Sequence, residues 1–297
     1  MDKLIWVLAL AGVGVLAFAL YIAWSLYRRL RGQHLARKPF ADHVAFLEPY
    51  VRVSYPPGDG PFPAVVLFHG CGGVRQVTEN YAALAVKSGV AAVIVDSLRA
   101  RNISYEEALA QVCTGHRLWG RERAADVYAA LELVRQDRRI DPARLALAGW
   151  SHGGWTLLDA LTLAQMKRPP DGLADAPEHP FAGVTGVFLV YPYVSGPSLA
   201  VRNDWLSSIP VEAVLVERDS MASEADASVV FMRARQHDAP VSWSVLGGVT
   251  HAFDEPDHHP DSTLRYDAQA TQETEGRFVD FMRRRLKLGL NRSKTAS

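Results

Sequence analysis

The chain has 297 residues, 48% of them hydrophobic and 22% charged, with 32 basic against 32 acidic side chains and a formal net charge of +0. That is long enough for one large domain with a buried core, and a balanced charge leaves no electrostatic footprint for nucleic acid. No internal repeat or low-complexity block interrupts the sequence.

From Leu4 to Tyr27 no side chain is charged. At about 1.5 Å of rise per residue the apolar run from Leu4 to Trp24 reaches roughly 30 Å, enough to cross a bilayer. Trp6, Tyr21, Trp24 and Tyr27 lie toward its ends and Arg28, Arg29 and Arg31 follow at once, which suits a membrane interface. A cleaved signal would instead carry its positive charge ahead of the run, where only Lys3 and the amino terminus stand beside Asp2. Residues 4–27 are therefore expected to form a transmembrane anchor in contact with lipid and 28–41 a basic linker. Residues 42–288 are expected as the folded domain and 289–297 as a disordered tail. Lys3 on one flank against Arg28, Arg29, Arg31, Arg37 and Lys38 on the other places the domain in the cytoplasm by the positive-inside rule. The two cysteines, Cys71 and Cys113, pull the other way. Both fall at one edge of the expected sheet, and a bridge between them belongs to an oxidising compartment. The expectation kept is two separate thiols.

Beyond the linker, strand and helix patterns alternate as in a parallel sheet covered on both faces. Tyr50 to Tyr55 alternates and stops at Pro56-Pro57-Gly58, as an edge strand would. Ala64 to Phe68 and Val90 to Val95 are short continuous apolar runs, the pattern of strands buried on both faces. Asn80 to Lys87 reads as a helix between them. Ser104 with Glu107 makes a capping box, and helical spacing runs from Arg121 to Arg135. Asp141-Pro142 turns the chain into a strand ending at Gly149. Further strands are expected at Val184 to Tyr191, Val211 to Glu217 and Val241 to Leu246, with helices at Ser223 to His237 and Leu264 to Leu286. The expected fold class is α/β, a doubly wound and mostly parallel sheet, preceded by one transmembrane helix. In such sheets ligands collect at the carboxyl ends of the strands.

Gly149-Trp150-Ser151-His152-Gly153 is a G-x-S-x-G pentapeptide between a strand and a helix, the context in which the serine stands on a sharp, strained turn. A serine hydroxyl needs a base within hydrogen-bond reach, itself oriented by a carboxylate, and in this architecture the chain order is serine, acid, histidine. His251, after the last strand, is the expected base. Asp219, two residues past Glu217, is the expected acid. Glu217 and Asp204 are weaker candidates, and Asp254 and Glu255 follow the histidine too closely to reach back to its Nδ1. Two backbone amides must also face the developing oxyanion. One is His152, next to the serine. The other is Cys71, in the loop His69-Gly70-Cys71-Gly72-Gly73, where His69 reads as a structural hydrogen-bonder. Asp257-His258-His259-Pro260-Asp261 reads as a solvated loop rather than a metal site, and no cofactor is expected. Arg99 and Arg101 read as solvated loop arginines before substrate-binding ones.

These residues resemble the dienelactone hydrolase family of α/β-hydrolases. The likeness spans roughly Tyr50 to Leu286 and rests on HGCGG (His69 to Gly73), GWSHGG (Gly149 to Gly154), Glu217-Arg218-Asp219 and THAFD (Thr250 to Asp254). The resemblance implies hydrolysis of a small-molecule ester. The namesake enzyme uses a cysteine nucleophile, a glutamate near the oxyanion loop and an arginine that binds the substrate carboxylate. Ser151, His69 and Glu255 stand at those places here, which argues against dienelactone itself as substrate. The expected activity is that of a membrane-anchored serine ester hydrolase. The alternatives are a peptidase or amidase on the same residues, or a non-catalytic ligand-binding module. Nothing in the sequence sets an oligomeric state.

Overall fold

The computed structural model describes residues 2–30, 35–205, 208–259 and 261–289. Arg31 of the expected linker, Leu206 and Ser207 of the loop before the sixth strand, Pro260 of the histidine-rich loop and 290–297 of the expected tail lie outside the described residues.

The chain opens with helix α1 (Asp2–Leu30). Among the described residues it is the one helix long and apolar enough to cross a membrane. Its window Ala11–Arg28 has a mean hydropathy of 1.4 and none of it is buried against the rest of the chain. After it come α2 (Phe40–Leu47), β1 (Val51–Ser54), β2 (Phe62–Phe68), α3 (Gln76–Lys87) and β3 (Ala91–Val95). A short α4 (Tyr105–Glu107) runs into a π-helical turn, Ala108–Val112, and is followed by α5 (Gly120–Gln136), β4 (Ile140–Trp150) and α6 (His152–Gln165). The chain ends with β5 (Val184–Val190), β6 (Val211–Val216), α7 (Glu224–Gln236), β7 (Val241–Leu246) and α8 (Ala268–Arg285).

The seven strands form one sheet in the order β1-β3-β2-β4-β5-β6-β7. Only the edge strand β1 is antiparallel, pairing with β3, and all other neighbours are parallel. Side chains alternate across the pleat and divide the core. Ala64, Val66 and Phe68 of β2 join one apolar layer with residues of α5, α6 and α7, while Val65 and Leu67 join the layer under α3 and α8. The expected strands stand within one or two residues of those observed, except that β4 starts at Ile140 and takes in Asp141-Pro142, which read as the turn before it.

Differences lie at element ends and in one helix. The third helix starts at Gln76, four residues before the expected Asn80, and the last starts at Ala268, where the Asp267 carboxylate accepts from the Ala270 amide at 2.8 Å, rather than at Leu264. Ser104 Oγ accepts from the Glu107 amide at 3.2 Å, as the capping pattern requires. Helix α2 begins within the stretch read as linker. It buries His43 and Leu47, and His43 Nε2 lies 2.8 Å from the buried Asp126 carboxylate of α5. A polar residue on a short segment carries no helical period strong enough to signal this.

Parallel strands β2, β4, β6 and β7 all end at one rim. The loops leaving it carry His69 to Gly73, Ser151, Asp219 and His251 respectively.

Candidate active site

The turn from β4 into α6 places Ser151 at φ 49° and ψ −111°, a left-handed conformation costly for a residue with a Cβ. The turn closes only because its neighbours lack side chains. A Cβ on Gly149 would lie 2.7 Å from the Gly153 carbonyl carbon, one on Gly153 2.0 Å from the Phe68 carbonyl oxygen, and one on Gly154 2.5 Å from Pro192 Cβ. The Ser151 amide donates to Val190 O at 3.0 Å, and Ser151 O accepts from Trp155 N at 3.1 Å and Tyr193 N at 3.2 Å. The backbone is pinned, and the hydroxyl points into the rim.

His251 Nε2 lies 2.9 Å from Ser151 Oγ, and His251 Nδ1 lies 2.7 Å from Asp219 Oδ2. Asp219 is ionised and can only accept, so Nδ1 carries the ring proton and Nε2 is free to take the serine proton. Asp219 reaches this position through Arg218, whose φ of 55° turns the chain sharply after β6. Burial opposes ionisation of Asp219. The hydrogen bond and charge of His251, with the Met221 and Ala222 amides at 2.8 and 2.9 Å, outweigh it and hold the carboxyl below its usual range. The His251 and Asp219 side chains are 4% and 0% exposed, so little water competes for the bond between them.

The structure thus brings Ser151, Asp219 and His251 together and leaves their rivals apart. Glu217 is half-exposed, and Asp204 contacts His237 and Arg233 instead. Asp254, set aside as too close in sequence, does not reach Nδ1, yet it is buried beneath the site. Its carboxylate accepts from Tyr81 Oη at 3.1 Å, Trp150 Nε1 at 3.2 Å and Tyr191 Oη. One carboxylate thus ties the His251 loop to the residue before Ser151, to the end of β5 and to α3. The Tyr191 ring also packs on His251, 4.6 Å between centroids.

The amides of Cys71 and His152 both border the rim, and among the described residues neither donates to a protein acceptor. A buried guanidinium braces both segments. Arg123 Nη1 donates to His69 O at 2.9 Å and lies 3.1 Å from His152 Nδ1, while its Nε donates to Ser97 Oγ at 2.9 Å. His152 Nε2 donates to Leu118 O at 2.7 Å. Burial, then the Arg123 charge, push the His152 pKa down to about 3, so the ring is neutral and its tautomer set by these two bonds. His69 is buried with Nδ1 donating to Gly70 O at 2.6 Å, and burial with the Arg123 charge holds it neutral as well. It is a brace. Arg123 sits in the expected helix, but beside Arg121, Glu122 and Asp126 it carries no sequence signal of its burial.

Two expectations are revised. Cys71 and Cys113 are joined in a disulfide, where separate thiols were expected. The loop His69 to Gly73 and the segment after the π-helical turn meet at the rim, which sequence separation alone does not reveal. Arg101 is not a solvated arginine: its guanidinium makes two 2.9 Å bonds to the buried Asp126. Arg99 is exposed, and neither arginine lines the cavity at Ser151. In the histidine-rich loop, His259 lies 3.8 Å from Asp261, and no group of three or more metal-binding side chains converges among the described residues.

A cavity of about 540 Å³ opens over Ser151 and His251, walled by Gly70 to Gly73, Tyr105, Leu109, Met221 and Leu264. One side holds Glu255, paired with Arg75 at 3.2 Å, and Arg75 also contacts Asp257 at 3.1 Å and stacks over the Tyr105 ring. Burial raises the Glu255 pKa to about 7 against the pull of Arg75. A carboxyl whose folded pKa is raised keeps its proton where the unfolded chain has lost it, so its contribution to stability falls as pH rises from about 4.5 to about 7. Glu255→Gln removes that term. The drop in melting temperature between pH 5 and pH 8 is therefore expected to be smaller in the variant than in the parent. An equal or larger drop would contradict the assignment.

Comparison with known proteins follows the same geometry. Among solved structures, esterase 2 of Thermogutta terrifontis phosphonylated by sarin matches with a TM-score of 0.58 at 13% identity, covering 79% of this chain and 89% of that one. A dienelactone hydrolase-like promiscuous phosphotriesterase from metagenomic libraries matches at 0.54 and 18% identity over 80% of this chain and 99% of that one. A hyperthermophilic esterase from Pyrobaculum calidifontis matches at 0.54 and 16% over 79% and 80%. At such identities the likeness is one of fold. No curated protein matches the sequence. The dienelactone hydrolase family profile, however, matches residues 50–286, the stretch that carries the motifs above, and the chain belongs to that family.

Proposed function

We propose that the chain is a membrane-anchored serine hydrolase of carboxylic esters acting through an acyl-enzyme. The observation that carries this reading is the continuous relay from Ser151 Oγ through the His251 ring to Asp219, at 2.9 and 2.7 Å. In the proposed sequence Ser151 Oγ attacks the ester carbonyl as its proton passes to His251 Nε2. Asp219 stabilises the imidazolium, and the Cys71 and His152 amides hold the oxyanion. The carbon–oxygen bond to the alcohol then breaks, the alkoxide oxygen takes the proton from Nε2, and water activated by the same nitrogen frees the acid. Family membership supports a hydrolase, and the esterase named as phosphonylated by sarin has the same fold. A peptidase or amidase would share the relay.

In the same reading residues 4–27 anchor the protein, 28–41 link it to the membrane and 42–288 form the hydrolase domain. The basic flank predicts a cytoplasmic domain. The cystine at the rim favours an oxidising compartment, and large domains are translocated with little regard to flanking charge. We therefore place the hydrolase domain on the extracytoplasmic side.

Ser151→Ala is expected to lower kcat for a short-chain aryl ester by at least about 10³-fold with the fold intact by circular dichroism. Retention of most activity would overturn the assignment. Alkylation of protein isolated from membranes under non-reducing conditions should find no free thiol, whereas two reactive thiols would return the domain to the cytoplasm.

A further inference from the structure

Ser151 lines two cavities. Besides the cavity of about 540 Å³ it borders a second of about 120 Å³, walled by Val112, Trp155, Tyr193, Pro197 and Met221. The Cys71 to Cys113 cystine borders both, so it stands at the partition between them. Their other walls differ in a way that bears on the chemistry. His251 faces only the large cavity, and His152 only the small one.

A tetrahedral intermediate on Ser151 has four substituents on its central carbon. One is Oγ, and a second is the oxyanion, directed at the Cys71 and His152 amides. The bond to the alcohol breaks as its oxygen takes a proton from His251 Nε2, so that oxygen must lie on the His251 side. The acyl chain has the one remaining direction.

Building on the serine esterase reading, we propose that the large cavity takes the alcohol part of the ester and the small chamber the acyl part. The substrate class is then esters of short-chain acids with bulky apolar alcohols. A cavity of about 150 Å³ holds a benzene-sized group, so the small chamber of about 120 Å³ suits an acyl chain of about butanoyl length. The Trp155 and Tyr193 rings, 5.1 Å between centroids, form part of its wall. The half-buried Tyr193 ring is the part of that wall open to test, since its backbone amide and not its side chain makes the bond to Ser151 O.

The test uses the full-length protein and two ester series, one varying the acyl chain from acetyl to octanoyl on benzyl alcohol, the other varying the alcohol of an acetate from ethyl to naphthylmethyl. The expected result is a kcat/KM at least about tenfold lower for octanoyl than butanoyl, with naphthylmethyl acetate equal to or better than ethyl acetate. Tyr193→Ala is expected to raise the octanoyl to butanoyl ratio by about tenfold or more. An octanoyl ester turned over as well as the butanoyl one by the parent enzyme would overturn the assignment of the chambers, whatever the variant does. A Tyr193→Ala protein that loses activity equally on both acyl chains would do the same. If no ester is hydrolysed and Ser151 fails to react with a fluorophosphonate, the esterase reading itself falls and the chamber assignment with it.

Discussion

The left-handed backbone of Ser151 is the constraint on which the rest of the site depends. A residue with a Cβ held at φ 49° is strained, and it persists only where packing over-determines it. Here the packing is visible: Gly149, Gly153 and Gly154 let β4, α6, the end of β2 and Pro192 approach within distances that any side chain would block. The sheet fixes β2 beside β4, and the close approach of Gly153 to Phe68 O brings the loop His69 to Gly73 to the same rim as the start of α6. One turn thereby sets both the hydroxyl and the groups that would receive the developing charge.

Around that turn, buried polar groups do the bracing. Arg123 joins the backbone before Cys71 to the ring of His152, and Asp254 joins the His251 loop to Trp150, Tyr191 and Tyr81. A buried charge or carboxyl is tolerated only when its bonds are made, so each brace holds its partners to narrow positions. The outcome differs between carboxylates. Asp219 has enough donors to stay ionised despite burial, whereas desolvation prevails at Asp254 over its three hydrogen bonds and raises its pKa. The first suits the proposed role of facing an imidazolium. The second suits a structural post.

What the sequence made legible follows from local physics. The apolar runs of β2, β3 and β4 signal strands buried on both faces, and the glycine spacing around Ser151 signals a tight strand-to-helix turn. Asp219 and His251 were reachable because topology dictates which loops share a rim. The braces were not, because they depend on contacts across the chain: Arg123 meets His69 over 54 positions, and Trp150 meets Asp254 over 104. In the charged stretch Gly120 to Asp126 nothing local marks Arg123 as buried or names its partners. The cystine was hidden in the same way, and its place at the rim changes both the reading of the cavity walls and the side of the membrane proposed for the domain.

The central claim is that Ser151 becomes covalently acylated. Rapid quenching of the protein with a short-chain aryl ester, followed by peptide mass analysis, measures this directly. The acyl mass is expected on the peptide containing Ser151, accumulating when deacylation is slowed by low pH. Steady hydrolysis with no acylated peptide, or with the acyl group on another residue, would contradict it.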